Sequence, residues 1–168
     1  MTSGDTSGPI PPSGKSSRVA IDEIATPEIR AFIEYWDSLR GDAFAPSWKA
    51  FDLSALEPKS IPYVVVADVI HDPLDFIIRF WGTAHVSRKG VDKTGRSIIA
   101  KPDLRGATAF DEYREVVEEK HPVASRDIVN LQTFSNLLPF EQSLVRLPLS
   151  DDGKNVHHVV SLAQWEKV

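Results

Sequence analysis

The stretch that decides the fold runs from Ile61 to Thr83 and reads IPYVVVADVI, HDPL, DFIIRFWGT. Two short runs rich in β-branched and aromatic residues flank four residues that contain an Asp-Pro step, and this pattern predicts a β-hairpin. A mostly helical middle follows, and a second strand-rich stretch extends from about Pro122 to Val168. The order of strands, helices and strands predicts an α+β fold.

Composition limits the class of protein. The 168 residues are 42% hydrophobic, enough for one good core, and the length favours one domain. A net charge of −5 gives no support for nucleic-acid binding. The chain has no cysteine, which excludes disulfides, thiolate catalysis and Cys-ligated metal, and the cytoplasm is the expected location. No apolar run is long enough to cross a membrane, and no signal peptide is expected at the N-terminus.

Three segments are expected along the chain. Residues 1–18, rich in Ser, Gly and Pro, are predicted to be a disordered tail. Residues 19–60 should hold an amphipathic helix and a surface connector. The helix is predicted to begin at the N-cap Thr26 and to stop at Gly41. Residues 61–168 should form the domain core.

Alternation assigns the faces of the first two strands. The inner face is predicted to carry Tyr63, Val65, Ala67, Phe76, Ile78 and Phe80, with the N-terminal helix covering the other face. A longer helix is predicted over Thr108–Lys120, with Thr108 in a capping pattern. Three more strands are predicted near Val123–Thr133, Gln142–Leu149 and Val156–Glu166, the last two joined by an Asp-Gly turn.

Several spaced motifs carry a resemblance to a known family. They are Tyr35–Arg40 (YWDSLR), Pro46, Ile61-Pro62, Arg79–Thr83 (RFWGT), Gly90–Gly95 (GVDKTG) and Leu147–Gly153 (LPLSDDG). In this order, from about Ile29 to Trp165, the chain resembles PAS domains, and more specifically the bacterial single-domain PAS_5 family, formerly a domain of unknown function. One departure is Pro46-Ser47-Trp48, where the family is expected to have Pro-Ser-Arg.

The resemblance implies a sensory or protein-interaction module. A five-stranded antiparallel sheet would wrap a small cavity between its inner face and the helices, and signals would pass through the outer face and the flanking helix. Without an attached output domain, the output is expected to go through a homodimer or a partner signalling protein. No catalytic residue and no metal site are expected.

The candidate ligand pocket combines inner-face residues with nearby polar ones. If the ligand is an anion, Arg88 or Arg96 would bind it, because a guanidinium holds a carboxylate bidentately. Core filling by the aromatic residues is the competing interpretation. The predicted pocket residues are Tyr63, Val65, Phe76, Ile78, Phe80, His85, Arg88, Arg96, Phe110 and Tyr113.

The N-terminal helix has an apolar stripe that is too wide for a solvated helix. It is expected to bury against its own sheet, against a second subunit, or against both. As a candidate interface the stripe comprises Ile29, Phe32, Ile33, Trp36 and Leu39.

Four other chemistries have candidate residues or remain open in this sequence. Gly90–Ser97 has phosphate-loop spacing except that Arg96 replaces the lysine, and two turn-forming glycines explain it more simply. Haem ligation by His121 or His85 and non-covalent flavin stay open, although no cofactor is expected. The alternative function is an enzyme of the ketosteroid-isomerase-like cone type, with Asp68 and His158 as acid–base residues.

Overall fold

The computed structural model describes residues 17–99 and 104–168, and the side chains of residues 108–168 within the second range. No helix in this part of the chain is long and apolar enough to cross a membrane. The helices are α1 Pro27–Arg40, α2 Thr83–Lys89 and α3 Leu104–Glu119, and the strands are β1 Val64–Ile70, β2 Asp75–Trp81, β3 Val123–Gln132, β4 Leu137–Leu149 and β5 His158–Lys167.

The five strands form one antiparallel sheet in the order β2-β1-β5-β4-β3. Two strands, two helices and three strands along the chain are the topology of PAS domains, so the fold is α+β and PAS-like. The hairpin predicted around His71–Leu74 is present, since β1 and β2 pair antiparallel on either side of it. The short 3-10 turn Ile61–Tyr63 precedes β1 and replaces the predicted start of that strand.

The N-terminal helix α1 covers the outer face of the sheet. Thr26 caps it by accepting a hydrogen bond from the amide of Ile29, and Gly41 follows its last residue. Ile29, Phe32 and Trp36 are buried in one core with residues of β1, β4 and β5. The indole nitrogen of Trp36 donates to the carbonyl of Pro148 at 2.7 Å.

The apolar stripe of α1 is therefore used for intramolecular packing. Its three buried members are closed to a second subunit, and Ile33 and Leu39 pack half-buried against the same core. The expected burial against the chain's own sheet is confirmed, so Ile29, Phe32 and Trp36 are core residues, and an interface formed by Ile33 and Leu39 stays a prediction.

A β-bulge in β2 changes which residues face inward. Val66 pairs with Phe80, but Ala67 pairs with Ile78, so Arg79 is an extra residue in β2. An inserted residue reverses the alternation beyond it. Phe80 consequently packs on the outer core and Trp81 on the inner one, so the prediction that Phe80 faces inward is wrong.

The inner core lies between the sheet and α3. Phe76 is fully buried and stacks on Tyr113 with ring centroids 4.9 Å apart. The helix begins at Leu104, four residues before the prediction, so Thr108 lies within it and is not its cap. Strand β4 also begins earlier than predicted, at Leu137, and its first ten residues, through Arg146, pair with β3 despite Pro139.

Two further expectations need correction. The connector between α1 and β1 contributes Phe51 and Leu56 to the outer core and is not merely a surface segment. The predicted tail does not extend to residue 18, because Arg18 forms a β-bridge with Ser125 and Val19 donates to Ala124. Residues 1–16 of the predicted tail lie outside the described residues.

Candidate ligand-binding cavity

A cavity of about 640 Å³ lies between the inner face of the sheet, helices α2 and α3, and the segment 93–98. Apolar side chains of the sheet, of α3 and of the segment 93–98 form its walls, and polar side chains from α2, β4 and β5 enter it. The lining residues are Tyr63, Val65, Ile78, Trp81, His85, Lys89, Lys93, Arg96, Ser97, Ile98, Ala109, Tyr113, Gln142, Leu144, Arg146 and Ser161.

Gly82 sets the position of α2 at one end of the cavity. Its amide donates to the carbonyl of Val64 at 2.9 Å, and a Cβ placed on it would lie 2.1 Å from the carbonyl oxygen of Pro62. Only glycine permits so close an approach of two backbones. Helix α2 therefore starts against the turn Ile61–Tyr63, which brings His85 to the backbone of Tyr63.

His85 is a buried wall residue, only 4% exposed. Its Nε2 lies 2.9 Å from the carbonyl oxygen of Tyr63, so Nε2 carries the proton and donates it. Nδ1 is then an acceptor, and within the described chain it has no hydrogen-bond partner. Burial, against the hydrogen bond to Tyr63, lowers the pKa of His85 to about 4, so the ring is neutral at pH 7.

These contacts bear on the two haem candidates. The Nε2 of His85 is occupied by the Tyr63 carbonyl, and its ring is held between Trp81 and Trp165, with centroids 5.0 and 5.1 Å away. His121 is exposed beyond the end of α3 and does not line the cavity. Neither histidine presents a ready Nε2 ligand to a haem iron in the cavity.

Trp81 joins the sheet to the segment that follows α2. The bulge at Arg79 turns the indole inward, where its nitrogen donates to the carbonyl of Val91 at 3.0 Å. The ammonium groups of Lys89 and Lys93 lie 5.9 and 5.5 Å from the centre of its ring. Cations at this distance from an indole face are attracted by the ring quadrupole.

Arg146 projects from β4 into the cavity wall and is nearly buried. Its Nε donates to Glu112 at 2.8 Å, its Nη1 donates to Ser161 at 3.0 Å, and its guanidinium lies 4.2 Å from the centre of the Tyr113 ring. Burial alone would lower the pKa of Arg146, but the neighbouring Tyr113 and Glu112 more than offset it and keep that pKa raised. The site thus contains a fixed guanidinium whose charge is balanced by one carboxylate.

The predicted pocket residues divide into two groups. The cavity brings together Tyr63, Val65, Ile78, His85, Arg96 and Tyr113. Four others lie outside its lining: Phe76 and Phe110 fill the inner core, Phe80 faces the outer core, and Arg88 lies 5.3 Å over the ring of Phe140.

Several lining residues escaped the sequence analysis. Gln142, Leu144 and Arg146 are two residues apart on β4 and share its inner face. Two polar residues on that face could have indicated a cavity there. Trp81 was not predicted to face inward, because the bulge at Arg79 reverses the alternation of β2. Lys89 and Lys93 stand among other charged residues, and nothing in the sequence alone sets them apart from solvated lysines.

Asp68 and His158, the residues of the enzyme alternative, do meet, but away from the cavity. They pair across β1 and β5, and Nδ1 of His158 lies 2.8 Å from Asp68 Oδ1. Arg79 also donates to that oxygen, and Trp48 lies against the His158 ring. Asp68 alternates with the inward-facing Ala67 and Val69, so the cluster is on the outer side of the sheet.

No protein-family model matches the sequence, and no curated protein is found similar to it. Among solved structures, the chain is similar to a light-oxygen-voltage domain studied with a flavin analogue, at 19% identity, over 61% of this chain and 75% of that chain, with a TM-score of 0.36. It is also similar to a fungal light-oxygen-voltage domain photoreceptor, at 20% identity, over 88% and 99% of the two chains, with a TM-score of 0.42. The finer resemblance to the PAS_5 family stays a prediction.

Proposed function

We propose that the chain is a sensory PAS-type module that binds a small organic molecule non-covalently in the cavity of the inner core. The observation that supports this most is the cavity itself. Its volume of about 640 Å³ falls within the range of roughly 300–1,000 Å³ typical of small-molecule sites. Its apolar walls with a few fixed polar groups are also typical of such sites.

The polar groups of the cavity favour a ligand over a purely structural core. A side chain that only fills a core is selected to be apolar, whereas His85 leaves a buried nitrogen acceptor unpaired and Arg146 carries a charge into the wall. Gln142 uses its amide oxygen to accept from Trp165 at 2.7 Å. The unpaired acceptor of His85 and the buried charge of Arg146 are costly features for a domain whose interior binds nothing.

Non-covalent flavin is one ligand whose charge suits the cavity, since the cationic side chains of the lining could neutralise the phosphate of a flavin nucleotide. A covalent flavin adduct on cysteine has no counterpart, because the chain has no cysteine. Our expectation is a small, colourless ligand and no resident chromophore.

We also propose that the signal leaves through a protein contact and that the chain is not an enzyme. The outer face of the sheet is covered by α1, so a change in the sheet would reach the surface through that layer. A homodimer or a partner signalling protein could read it. The enzyme alternative is less favoured, because Asp68 and His158 lie on the opposite side of the sheet from the cavity.

The test is native mass spectrometry of the purified protein with its absorbance spectrum. We expect a non-covalent ligand mass that is lost on denaturation, without flavin or Soret bands. Ala109→Phe should fill the cavity and abolish the added mass, whereas Ala50→Phe, at an exposed connector position, should retain it. A ligand mass that survives in Ala109→Phe would contradict binding in the cavity.

A further inference from the structure

The cavity has a one-sided charge. Four cationic side chains line it, and among the described lining residues there is no carboxylate. Arg146 is neutralised by Glu112 behind it, at 2.8 Å. The other three lie within eight residues of each other: Lys89, which has a further interaction partner, at the end of α2, and Lys93 and Arg96 in the segment beside β2. The excess positive charge is therefore concentrated at one wall.

The backbone that carries these three cations is held in place. Gly90 ends α2 in the left-handed conformation, with φ of 78°, and its amide donates to Val86. The Asp92 carboxylate accepts from the amide and the hydroxyl of Thr94 at 2.9 and 2.7 Å. A segment fixed in this way loses little entropy when it binds a ligand.

The far end of the same segment is attached to the sheet edge. The amide of Gly95 donates to the carbonyl of Ile78 at 2.7 Å, and the amide of Ile78 donates to the carbonyl of Arg96 at 3.0 Å. The two glycines of the phosphate-loop-like motif thus end a helix and join a strand. The motif does not open a helix, so it is not a phosphate loop of that type, but Lys93 and Arg96 line the cavity.

Two carboxylates flank this wall without entering the cavity, Asp92 in the segment itself and Asp75 on β2. The hydrogen bonds from Thr94, with a smaller contribution from the charge of Arg96, hold the pKa of Asp92 below its usual value. Asp75 accepts from the hydroxyl of Ser97 and from the amide of Phe76. Neither is part of the cavity lining. A ligand that carries its own negative charge would complement Lys93 and Arg96.

We propose, building on the proposed function, that the ligand is an organic anion with an apolar body and an oxyanion head. Lys93 and Arg96 bind the head, because cations form their strongest hydrogen bonds with carboxylate, phosphate or sulfonate oxygens. The body extends along the apolar wall of Val65 and Leu144, which lie across the cavity on the sheet. Carboxylate and phosphate share this chemistry.

The test compares two fluorescent probes with the same aromatic body. 8-Anilinonaphthalene-1-sulfonate carries an oxyanion, and N-phenyl-1-naphthylamine lacks it. The wild-type protein should bind the sulfonate more tightly than the neutral amine. In Lys93→Ala/Arg96→Ala the sulfonate should bind at least about tenfold more weakly, as expected for lost charge-assisted contacts, while the affinity for the neutral amine should stay within about twofold.

A matched control removes two exposed lysines away from the cavity. Lys49→Ala/Lys154→Ala makes the same change in net charge and should leave both affinities unchanged. If this control lost as much sulfonate affinity as Lys93→Ala/Arg96→Ala, the net charge of the protein would explain the effect, and the proposal would be overturned. Displacement of the bound sulfonate by 1-naphthoate would identify a carboxylate head, displacement by 1-naphthyl phosphate a phosphate head, and displacement by neither would contradict the proposal.

Failure of this proposal and failure of the proposed function look different. If both probes bind, are lost together in Ala109→Phe, and do not respond to Lys93→Ala/Arg96→Ala, the cavity binds small molecules but does not select anions. If neither probe binds, or if Ala109→Phe leaves both affinities intact, the cavity is not a binding site and both proposals fall.

Discussion

Breaking the ion pair between Glu112 and Arg146 should destabilise the domain strongly, and removing both partners should restore much of the loss. The side chains are 3% and 9% exposed, and the pair joins α3 to β4 across the inner core. Arg146→Met would leave the Glu112 carboxylate buried, with Arg18 as a weaker partner at 3.7 Å. Glu112→Leu would leave a buried guanidinium whose remaining described contacts are Ser161 and the Tyr113 ring.

Removing one partner of a buried pair typically costs about 3–5 kcal/mol, because the remaining charge stays desolvated. We expect about 3 kcal/mol for Glu112→Leu. For Arg146→Met we expect about 2 kcal/mol, less because Arg18 partly compensates the carboxylate. The double variant replaces both charges with apolar groups and should lie within about 1 kcal/mol of wild type.

Urea unfolding at pH 7 would measure the free energy of unfolding for the wild type, both single variants and the double variant. Arg114→Met is a matched control, because it breaks an exposed ion pair with Asp111 one turn apart on the same helix, and such pairs contribute at most about 1 kcal/mol. The reasoning would be refuted if each single buried variant cost no more than the Arg114 control, or if the two losses simply added in the double variant.

Phe32→Ala should lower the free energy of unfolding by about 3–5 kcal/mol, because Phe32 is 2% exposed in the outer core; urea unfolding at pH 7 measures this, and a loss below about 1 kcal/mol would show that α1 is not a core cover. Gly82→Ala should cost at least about 2 kcal/mol, since its Cβ would meet the backbone of Pro62; wild-type thermal stability would contradict that close approach. His85 has a pKa lowered to about 4 by burial. Above pH 6.5 the ring is neutral in both states, and as the pH falls towards 4 the unfolded chain binds a proton that the folded protein does not, so the free energy of unfolding decreases. At pH 5 the free energy of unfolding should be about 2 kcal/mol lower than at pH 7 because of His85. Urea unfolding at both pH values should show this decrease in the wild type and not in His85→Gln, and an equal decrease in both proteins would contradict it.

Much of the fold followed from local chemistry that the sequence displays. Thr26, Pro27 and Gly41 mark both ends of α1, and these signals depend on the neighbouring backbone alone. The hairpin at His71–Leu74 and the three later strands were likewise predicted from alternation and turn residues. The α+β, PAS-like fold was predicted because these elements occur in an order that few architectures share.

The errors arose where a long-range contact decides the outcome. The bulge at Arg79 is one extra residue with no local signature, and it exchanged Phe80 for Trp81 on the inner face. Helix α3 starts before Thr108 because nothing local stops a helix from extending beyond a good cap residue. Strand β4 continues through Pro139, which alone would argue against a strand.

The cavity was only half predictable for the same reason. Val65, Ile78 and Tyr113 follow from alternation and helical spacing, whereas Tyr63 lines the cavity from a 3-10 turn. A cavity is a gap between elements and depends on how they pack. Arg146 was not predicted, because its burial depends on the ion pair with Glu112, 34 residues earlier in the chain, and no pattern in either segment links the two residues.

The central claim is that the inner face of the sheet encloses a ligand site, and backbone amide chemical-shift mapping with 8-anilinonaphthalene-1-sulfonate tests it most directly. The account predicts that the shifted amides concentrate around residues 63–65, 78–81, 93–98 and 142–146, which surround the cavity. Amides of α1 and of the exposed loop at 151–155 should shift little. Shifts confined to α1, to that loop or to the outer edge of β3, with the cavity residues unmoved, would contradict the account.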